Sequence, residues 1–533
     1  MSLSMMQRRT SQKFYRTTEE LTKPEESQLQ GTIPNWLSGA FLRTGPGYFD
    51  FPDGFTVNHW LDGYAVISKF HVSGQSVKFE KKFFQSEAFK RAKKANKPCV
   101  CEYGTRAYSD PSRSWMSRLY NTIIPEFTDN ANISIYNVGQ NVFVSGETCY
   151  FYDLNVSNMT AGHKWDTNRV FGIHCASPHP LTDRNGYTYN IGSSYAPTLK
   201  YCFVKIPPTD HTKDPKEVLK KGKVLCTIPS RWNRNIMSYN HSFGLTENYI
   251  VFIEQPYVVS LNKILSSVLT KGQSFKDWVE WNPECKNRFY IIDKSSGKVV
   301  SNAEFMSEEA FFFVHMINCY EDNGQVVVTL SRYDSPEVLE TQDLSILRQG
   351  GTDGDETRAC GTQYVVPIDV NMSNVLEGAN LVKVPSSNAT AYKQGSQIIL
   401  TPDVLTEKGL EFPAINKKFL GRKHRYYYAS GLTSLAEYRN AVVKIDMVEK
   451  RAICWRDNAN QVVGEPVFVP NPDLDYEDAG SEDDGVLICP VTDYREGVSD
   501  LIVFIDPKTM KELARAEFKT QIPPSIHGIF VPS

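Results

Sequence analysis

LIVFIDPKTMKELARAEF, residues 501–518, reads as an apolar strand, an Asp, a short polar turn and a second strand. The same form recurs in FYIIDKSSGKVV (289–300) and VVKIDMVEKRAICW (442–455), and more loosely in CYFYDLNVSNMTAGHKW (149–165). Asp293, Asp446 and Asp506 sit where a carboxylate can accept hydrogen bonds from the turn's own amides, which explains the residue type at that place. Hairpins of one turn chemistry recurring along a β chain predict a radial array of four-stranded blades, a propeller. A sandwich or several barrels is the alternative that this pattern leaves open.

Outward from these hairpins the chain continues as short strands between turn signals. Val142–Val144, Tyr249–Ile253, Gln325–Leu330, Tyr364–Ile368, Tyr426–Tyr428 and Val486–Cys489 are the clearest apolar runs. No Pro/Gly-rich linker divides them, which predicts one β-rich domain over 1–533, with 1–28 as an N-terminal extension. Of the 533 residues, 41% are hydrophobic and 22% charged, a soluble globular balance, and no apolar run is long enough to cross a bilayer. A net charge of −3 offers nothing to a polyanion, so nucleic acid is not an expected partner. The start of the chain lacks the apolar core of a secretory signal and carries Glu19 and Glu20, which transit peptides avoid; a cytoplasmic chain is expected. Eleven cysteines, none in a CxxC pair, fit free thiols in a reducing compartment.

Two segments break the strand pattern. In LNKILSSVLTKG (261–272), Leu261, Ile264, Leu265, Val268 and Leu269 fall on one helical face, opposite Ser and Lys. Such a helix either faces the core or lies in a membrane surface, with Lys263 and Lys271 at the headgroups. SRSWMSRLYNTII (112–124) mixes Arg113 and Arg118 with Trp115, Met116 and Leu119, as a membrane-contacting loop does. The basic run AFKRAKKANK (88–97) reads as a solvated face. The acidic run DLDYEDAGSEDDG (473–485) lacks the spacing of a calcium loop and reads as a surface turn.

Ten histidines are present, and four have related settings: His179 in CASPHPLTD, His241 in SYNHSFGL, His315 in FFFVHMINCYEDNG and His527 in PSIHGIF. Taken singly, each is the kind of histidine that a strand end holds by a hydrogen bond. Their separations of 62, 74 and 212 residues compare with a blade length of roughly 76 residues if the chain makes seven equal blades. Four neutral imidazoles aimed at one axis would make a nitrogen-only site for a divalent first-row metal. Glu147 in FVSGETCYF, Glu411 in GLEFPAIN and Glu465 in VGEPVFVP lie inside apolar sequence, where an unpaired charge is costly. A carboxylate there can accept the other ring N–H of a ligating His; a buried salt bridge or a strand-edge Glu is the alternative.

At these residues the chain resembles the carotenoid cleavage oxygenases, the family of animal β-carotene oxygenases, the retinal-pigment-epithelium retinoid isomerase and plant carotenoid dioxygenases. The resemblance rests on dispersed motifs in order from about residue 30 to the end. They include GTIPNWLSGAFLRTGPGYF (31–49), EYGTRAYSDP (102–111), SYNHSFGLTENYIVFIEQP (238–256), FFVHMINCYEDNG (312–324), EFPAIN (411–416), EDDGVLI (482–488) and HGIF (527–530).

The resemblance implies an all-β, seven-bladed propeller with helical caps and loops on one face. It implies Fe(II) held by His179, His241, His315 and His527, with Glu147, Glu411 and Glu465 behind them, and Tyr103 and Tyr333 as aromatic walls for the substrate. It implies cleavage of a central double bond of a carotenoid, such as zeaxanthin or β-carotene, by O2 to retinal-type aldehydes. Peripheral attachment to membranes through 261–272 is implied as well, with 112–124 read from its own residues as a second contact. Ser112 stands where vertebrate members carry a cysteine, and Gly146 where they carry a hydroxyl residue. These departures make the chain most similar to the insect-type isomerooxygenases, which couple cleavage to trans-to-cis isomerisation. A retinyl-ester isomerohydrolase and a non-catalytic carotenoid-binding propeller are the alternative readings.

Overall fold

The computed structural model describes residues 14–114, 126–208, 214–232, 235–270, 273–300, 303–349, 357–431, 440–474, 481–493, 495 and 497–533. The turn chemistry expected from the recurring hairpins is present in each copy. Asp293 accepts from the amides of Ser295 and Ser296 at 3.0 and 2.6 Å, Asp446 from Val448 and Glu449 at 3.1 Å each, and Asp506 from Lys508 at 3.0 Å. In the looser copy the acceptor is Asn155, bonded to Ser157 N at 3.0 Å, two residues after the Asp that the pattern puts forward. The strands after these turns pair antiparallel in three copies: Val442–Asp446 with Arg451–Trp455, Asp500–Asp506 with Lys511–Phe518, and Tyr150–Asn155 with Thr160–Asp166. In the fourth, the return strand is reduced to one bridge, Ile292 to Val299, and Glu304–Ser307 pairs with Arg288 and Phe289 instead.

Eight sheets form among the described residues. The first holds Gly39–Tyr48, Tyr64–Ser73 and Ser76–Phe83, edged on one side by Leu21–Glu26 and on the other by the last strand of the chain, His527–Pro532. Ser134–Val138 to Thr160–Asp166 make a four-stranded second sheet, and Thr188–Ser194, Lys200–Ile206 and Lys223–Pro229 are the body of a third. The fourth is built on Tyr249–Glu254 and Arg288–Asp293, the next on Phe312–Asp322, Gln325–Tyr333 and Cys360–Val366. Leu410–Ala414 to Arg451–Trp455 follow as four strands, and Gly485–Asp493, Asp500–Asp506 and Lys511–Phe518 carry the last large sheet, whose edge is the early strand Gln28–Gly31. A small sheet of Ile236–Ser238, Tyr257–Ser260 and Val279–Trp281 packs through Tyr257, Val259 and Val279 on Phe312 and Tyr333. Within the stretch expected as an N-terminal extension, Leu21–Glu26 is paired strand and Phe14 is buried.

The apolar clusters lie between these sheets. Phe41, Phe70 and Phe79 of the first pack on Ile488, Phe504 and Phe518 of the last. Leu42 and Ile67 pack on Val144 and Tyr152 of the second sheet, whose Phe143 and Trp165 meet Cys202 and Val204 of the third. Further clusters join Ile191 and Phe203 to Phe252 and Tyr290, Val251 and Phe289 to Val328 and Tyr364, Ile317 to Tyr427 and Val443, and Tyr428 and Val442 to Leu487 and Val503. Consecutive residues serve opposite neighbours: Phe41 and Leu42, Phe143 and Val144, Val251 and Phe252, Tyr427 and Tyr428. Alternate strand residues point to opposite faces, so a strand sandwiched on both sides is apolar throughout, which is why these runs lack a polar alternation. Each such side chain contributes about 1.5–3 kcal/mol on burial.

The basic run forms the helix Glu87–Ala95, with Ala88, Phe89 and Ala92 buried and Lys90, Lys93 and Lys94 exposed, a solvated face as expected. LNKILSSVLTKG forms the helix Leu261–Thr270; Leu261 and Ile264 are half-buried while Leu265 is 68% exposed. Of the loop 112–124, residues 115–124 lie outside the described residues, as do 475–480 of the acidic run. Among the described residues no helix is long and apolar enough to cross a membrane.

Candidate metal centre

Each of the four histidines lies in or beside an edge strand of a different sheet. His179 lies in the loop between Cys175–Ala176 and Leu181–Thr182, His241 just before Gly244–Leu245, His315 inside Phe312–Asp322, and His527 opens His527–Pro532. His315 sits where the pairing with Gln325–Tyr333 slips, between Phe313 and Met316, and such a bulge re-aims a side chain. The strand carrying Glu411 is irregular too, between Glu411 and Ala414, and Phe412 there has φ of +52° although Pro413 follows it. A left-handed non-glycine residue before proline is strained, and the Phe412 ring lies 5.7 Å from the rings of both His315 and His527.

The structure brings the four imidazoles together. Nε2 of His179 and His241 are 2.8 Å apart, those of His241 and His315 3.3 Å, and those of His315 and His527 3.1 Å. All four ligand atoms lie within 4.8 Å of one another. Three of the rings turn their other nitrogen to a carboxylate: His241 Nδ1 to Glu147, His315 Nδ1 to Glu411 at 2.7 Å, and His527 Nδ1 to Glu465 at 2.7 Å. A carboxylate that accepts a hydrogen bond from Nδ1–H leaves the Nε2 lone pair free, so three convergent lone pairs are fixed by their partners. His179 has no carboxylate at Nδ1 among the described residues; its backbone amide bonds Ser177 Oγ at 3.1 Å, and that hydroxyl donates to the carbonyl of His241. Four nitrogen donors facing inward, three buried and that of His179 half-buried, suit a divalent first-row ion.

The electrostatics follow from burial. His179 and His527 are pushed well below the usual imidazole range, first by desolvation and then by the neighbouring rings, which keeps them neutral. Burial lowers His315 too, but the charges of Glu411, Glu465 and Glu147 outweigh it and raise the group overall. Burial also raises Glu465, against the pull of Arg43.

Residues that the sequence reading did not single out complete the centre. Arg43, fully buried in GAFLRTGPGY, pairs with Glu465 at 2.7 Å, and Gly528 N donates to the same carboxylate at 3.0 Å. Tyr239 OH donates to Glu147 at 2.8 Å. A lone cation inside an apolar strand and a Tyr two residues before a candidate ligand were the available signals. Gly146 packs closely: a Cβ there would lie 2.5 Å from the Asn130 carbonyl oxygen, so the hydroxyl residue of relatives has no room with this backbone.

Beside the centre, a cavity encloses about 950 Å³ of empty space, part of it open to solvent, lined by Tyr103, Glu147, Tyr195, Tyr239, Phe275 and Trp278 among others. Glu102 also lines it; burial, then the charge of Asp62, raises its carboxyl far above the usual range, and Thr128 Oγ1 donates to it at 2.8 Å. The wall is thereby uncharged at that point. Of the two aromatic residues expected to face substrate, Tyr103 lines this cavity. Tyr333 is buried against Phe312, ring centroids 5.9 Å apart, with its phenol beside Glu411.

Residues 14–532 match the family described as retinal pigment epithelial membrane protein, RPE65. The chain is 33% identical over 530 residues to the mitochondrial carotenoid-cleaving dioxygenase of Mustela putorius furo, covering 97% of this chain and 95% of that one. It is 31% identical over 528 residues to the β,β-carotene 15,15'-dioxygenase of Homo sapiens, covering 97% and 94%. Among solved structures, the cobalt-substituted Synechocystis ACO superposes with a TM-score of 0.75 at 18% identity, and an ACO/RPE65 chimera with 0.75 at 19%, each covering 99% of both chains. A family match over nearly the whole length, with relatives above 30% identity, places this chain in the carotenoid cleavage oxygenase family.

Proposed function

We propose that this protein is an Fe(II)-dependent oxygenase that cleaves a central double bond of a carotenoid with O2, giving retinal-type aldehydes, with trans-to-cis isomerisation of one half coupled to cleavage as in the insect-type enzymes. The observation that carries the reading is the convergence of His179, His241, His315 and His527 beside an apolar cavity. Bound there, iron would supply the activation of O2, and four neutral ligands leave coordination positions open without a charged ligand in contact with the ion. The chain's own residues do the rest. Glu147, Glu411 and Glu465 set the tautomer and direction of three rings, Arg43 and Tyr239 hold two of those carboxylates, and the aromatic wall orients a substrate of few polar atoms by shape while excluding water.

A seven-bladed propeller is part of the proposal. Its support is the run of inter-sheet clusters, which passes from the first large sheet through its neighbours to the last and back to the first. The single domain over 1–533 and peripheral membrane attachment of a cytoplasmic chain are proposed with it; the exposed Leu265 on the helix Leu261–Thr270 supports the attachment.

The test is turnover of β-carotene and zeaxanthin by iron-loaded protein in air and in anaerobic buffer, with products separated by chromatography. Two aldehyde fragments that form only with O2 are expected, and a cis aldehyde among them marks the isomerisation. Turnover of retinyl esters without O2, and none of carotenoids, would replace this reading by an isomerohydrolase. Binding of carotenoid without product in iron-replete protein would replace it by a carrier.

A further inference from the structure

A second cavity lies between the second and third sheets. It holds about 590 Å³ of empty space, part of it open to solvent. Its wall is mostly apolar: Val138 and Phe143 of one sheet meet Val204 and Ile206 of the other, with Ile173 and Leu219 beside them. Polar side chains of the wall spend their hydrogen bonds on the backbone. Thr148 Oγ1 donates to the carbonyl of Thr128 at 2.7 Å, Thr167 Oγ1 to that of Ile173 at 3.0 Å, Asn190 Nδ2 to that of Ser177 at 3.0 Å, and Ser177 Oγ to that of His241. Water entering such a space finds few partners, and an apolar cavity of this kind stays dry and takes up small apolar molecules instead.

This cavity abuts the segments that carry Glu147 and His179. Gly146 and Thr148 line both it and the aromatic cavity, so the stretch around Glu147 is a partition between the two, and at Gly146 that partition has no side chain. Ser177 and Pro180, which flank His179 in the chain, line it as well. Ala176 N donates to the carbonyl of Thr148 at 3.2 Å and ties the two segments together. A polyene bound at the histidines fills the aromatic cavity, and the second reactant must reach the same centre while that space is taken. O2 is small and apolar, the class of molecule that a dry cavity admits. We infer that the cavity between the second and third sheets is a dioxygen site, from which O2 reaches the metal centre on its His179 side, past Gly146 and Ser177, while the carotenoid occupies the other cavity. This inference rests on the carotenoid oxygenase reading and deepens it.

The experiment fills the cavity with side chain, in Ala176→Leu and in Val138→Phe, and follows gas and polyene separately. Overpacking costs stability, so thermal melts first confirm that each variant is folded; the xenon measurement on wild type needs neither. Wild-type crystals under xenon pressure are expected to show anomalous density for xenon in this cavity, and the variants none. KM for O2, measured at saturating carotenoid, is expected to rise several-fold in each variant while KM for the carotenoid stays where it was. No xenon in the wild-type cavity, or xenon displaced with KM for O2 unchanged, overturns the inference while the oxygenase reading stands. If neither zeaxanthin nor β-carotene is cleaved, the oxygenase reading falls, and the approach is judged with nitric oxide, another small apolar gas, which binds ferrous iron. Association several-fold slower in the variants than in wild type supports the approach, and equal rates remove it.

Discussion

Arg43 and Glu465 form a buried ion pair 2.7 Å long, and the second oxygen of that carboxylate is 2.7 Å from Nδ1 of His527. The guanidinium also donates to Ser525 Oγ at 2.9 Å and to the carbonyl of Ile526 at 3.1 Å, so it ties the segment before His527 to the carboxylate that orients it. Arg43→Met leaves Glu465 buried with no cation. The expected cost is about 3–5 kcal/mol, read from urea midpoints, with a lower bound-iron stoichiometry in the folded fraction. An unchanged midpoint would mean that the pair carries no stability.

The three carboxylates behind the rings are expected to act on metal affinity more than on folding. Glu147→Gln, Glu411→Gln and Glu465→Gln each are expected to weaken binding of a divalent ion by roughly 10–100-fold in a chelator competition, because the amide no longer fixes an Nδ1–H tautomer. His241→Ala removes a nitrogen outright and should abolish stoichiometric iron. Equal affinity across the three Gln variants and wild type would sink the tautomer-fixing role given to the carboxylates.

Gly146 reports how tightly Glu147 is placed. A Cβ at position 146 meets the Asn130 carbonyl at 2.5 Å, so Gly146→Thr must push backbone aside. The expected loss is about 1–3 kcal/mol in thermal melts, together with reduced iron loading through the displaced neighbour. A variant as stable as wild type would show that this backbone shifts freely.

His424 gives the protein an acid limit away from the metal centre. Burial lowers it to about 3, its Nε2 has no partner among the described residues, and Asn318 Nδ2 lies 3.1 Å from its Nδ1. The unfolded chain takes up this proton near pH 6.5 and the folded one does not, so stability is present above that value and is lost as pH falls toward 3. Between pH 7 and 5 the wild type should lose about 2 kcal/mol more than His424→Gln in urea titrations. Parallel losses in the two proteins would assign the acid sensitivity elsewhere.

Packing between the first and last sheets sets the scale for the core. Phe79 stacks on Phe70 with centroids 4.6 Å apart and touches Phe518 at 5.3 Å. Phe79→Ala is expected to cost about 3–5 kcal/mol, checked by denaturant unfolding.

What the sequence made legible was local. An Asp at the same place in three hairpins announced its hydrogen bonds because they span two or three residues. The four histidines stood out by their contexts, and the geometry of their meeting depends on backbone departures that leave little trace in composition: the slipped pairing around His315 and the left-handed Phe412. Arg43 was passed over because its partner lies 422 residues away. The pairing of Gln28–Gly31 with Lys511–Phe518 is likewise hidden from any local window.

That long-range closure also imposes an order in time. His527 belongs to a strand whose partner is Gly39–Tyr48, so its imidazole joins the other three only after that late strand has met an early one. On a ribosome the earlier sheets are made long before that strand emerges, and they wait with an unfilled edge. Assembly of the centre is therefore a late event of folding, gated by a contact of high sequence separation. Completion of the four-ring cluster reports that this distant contact has been made.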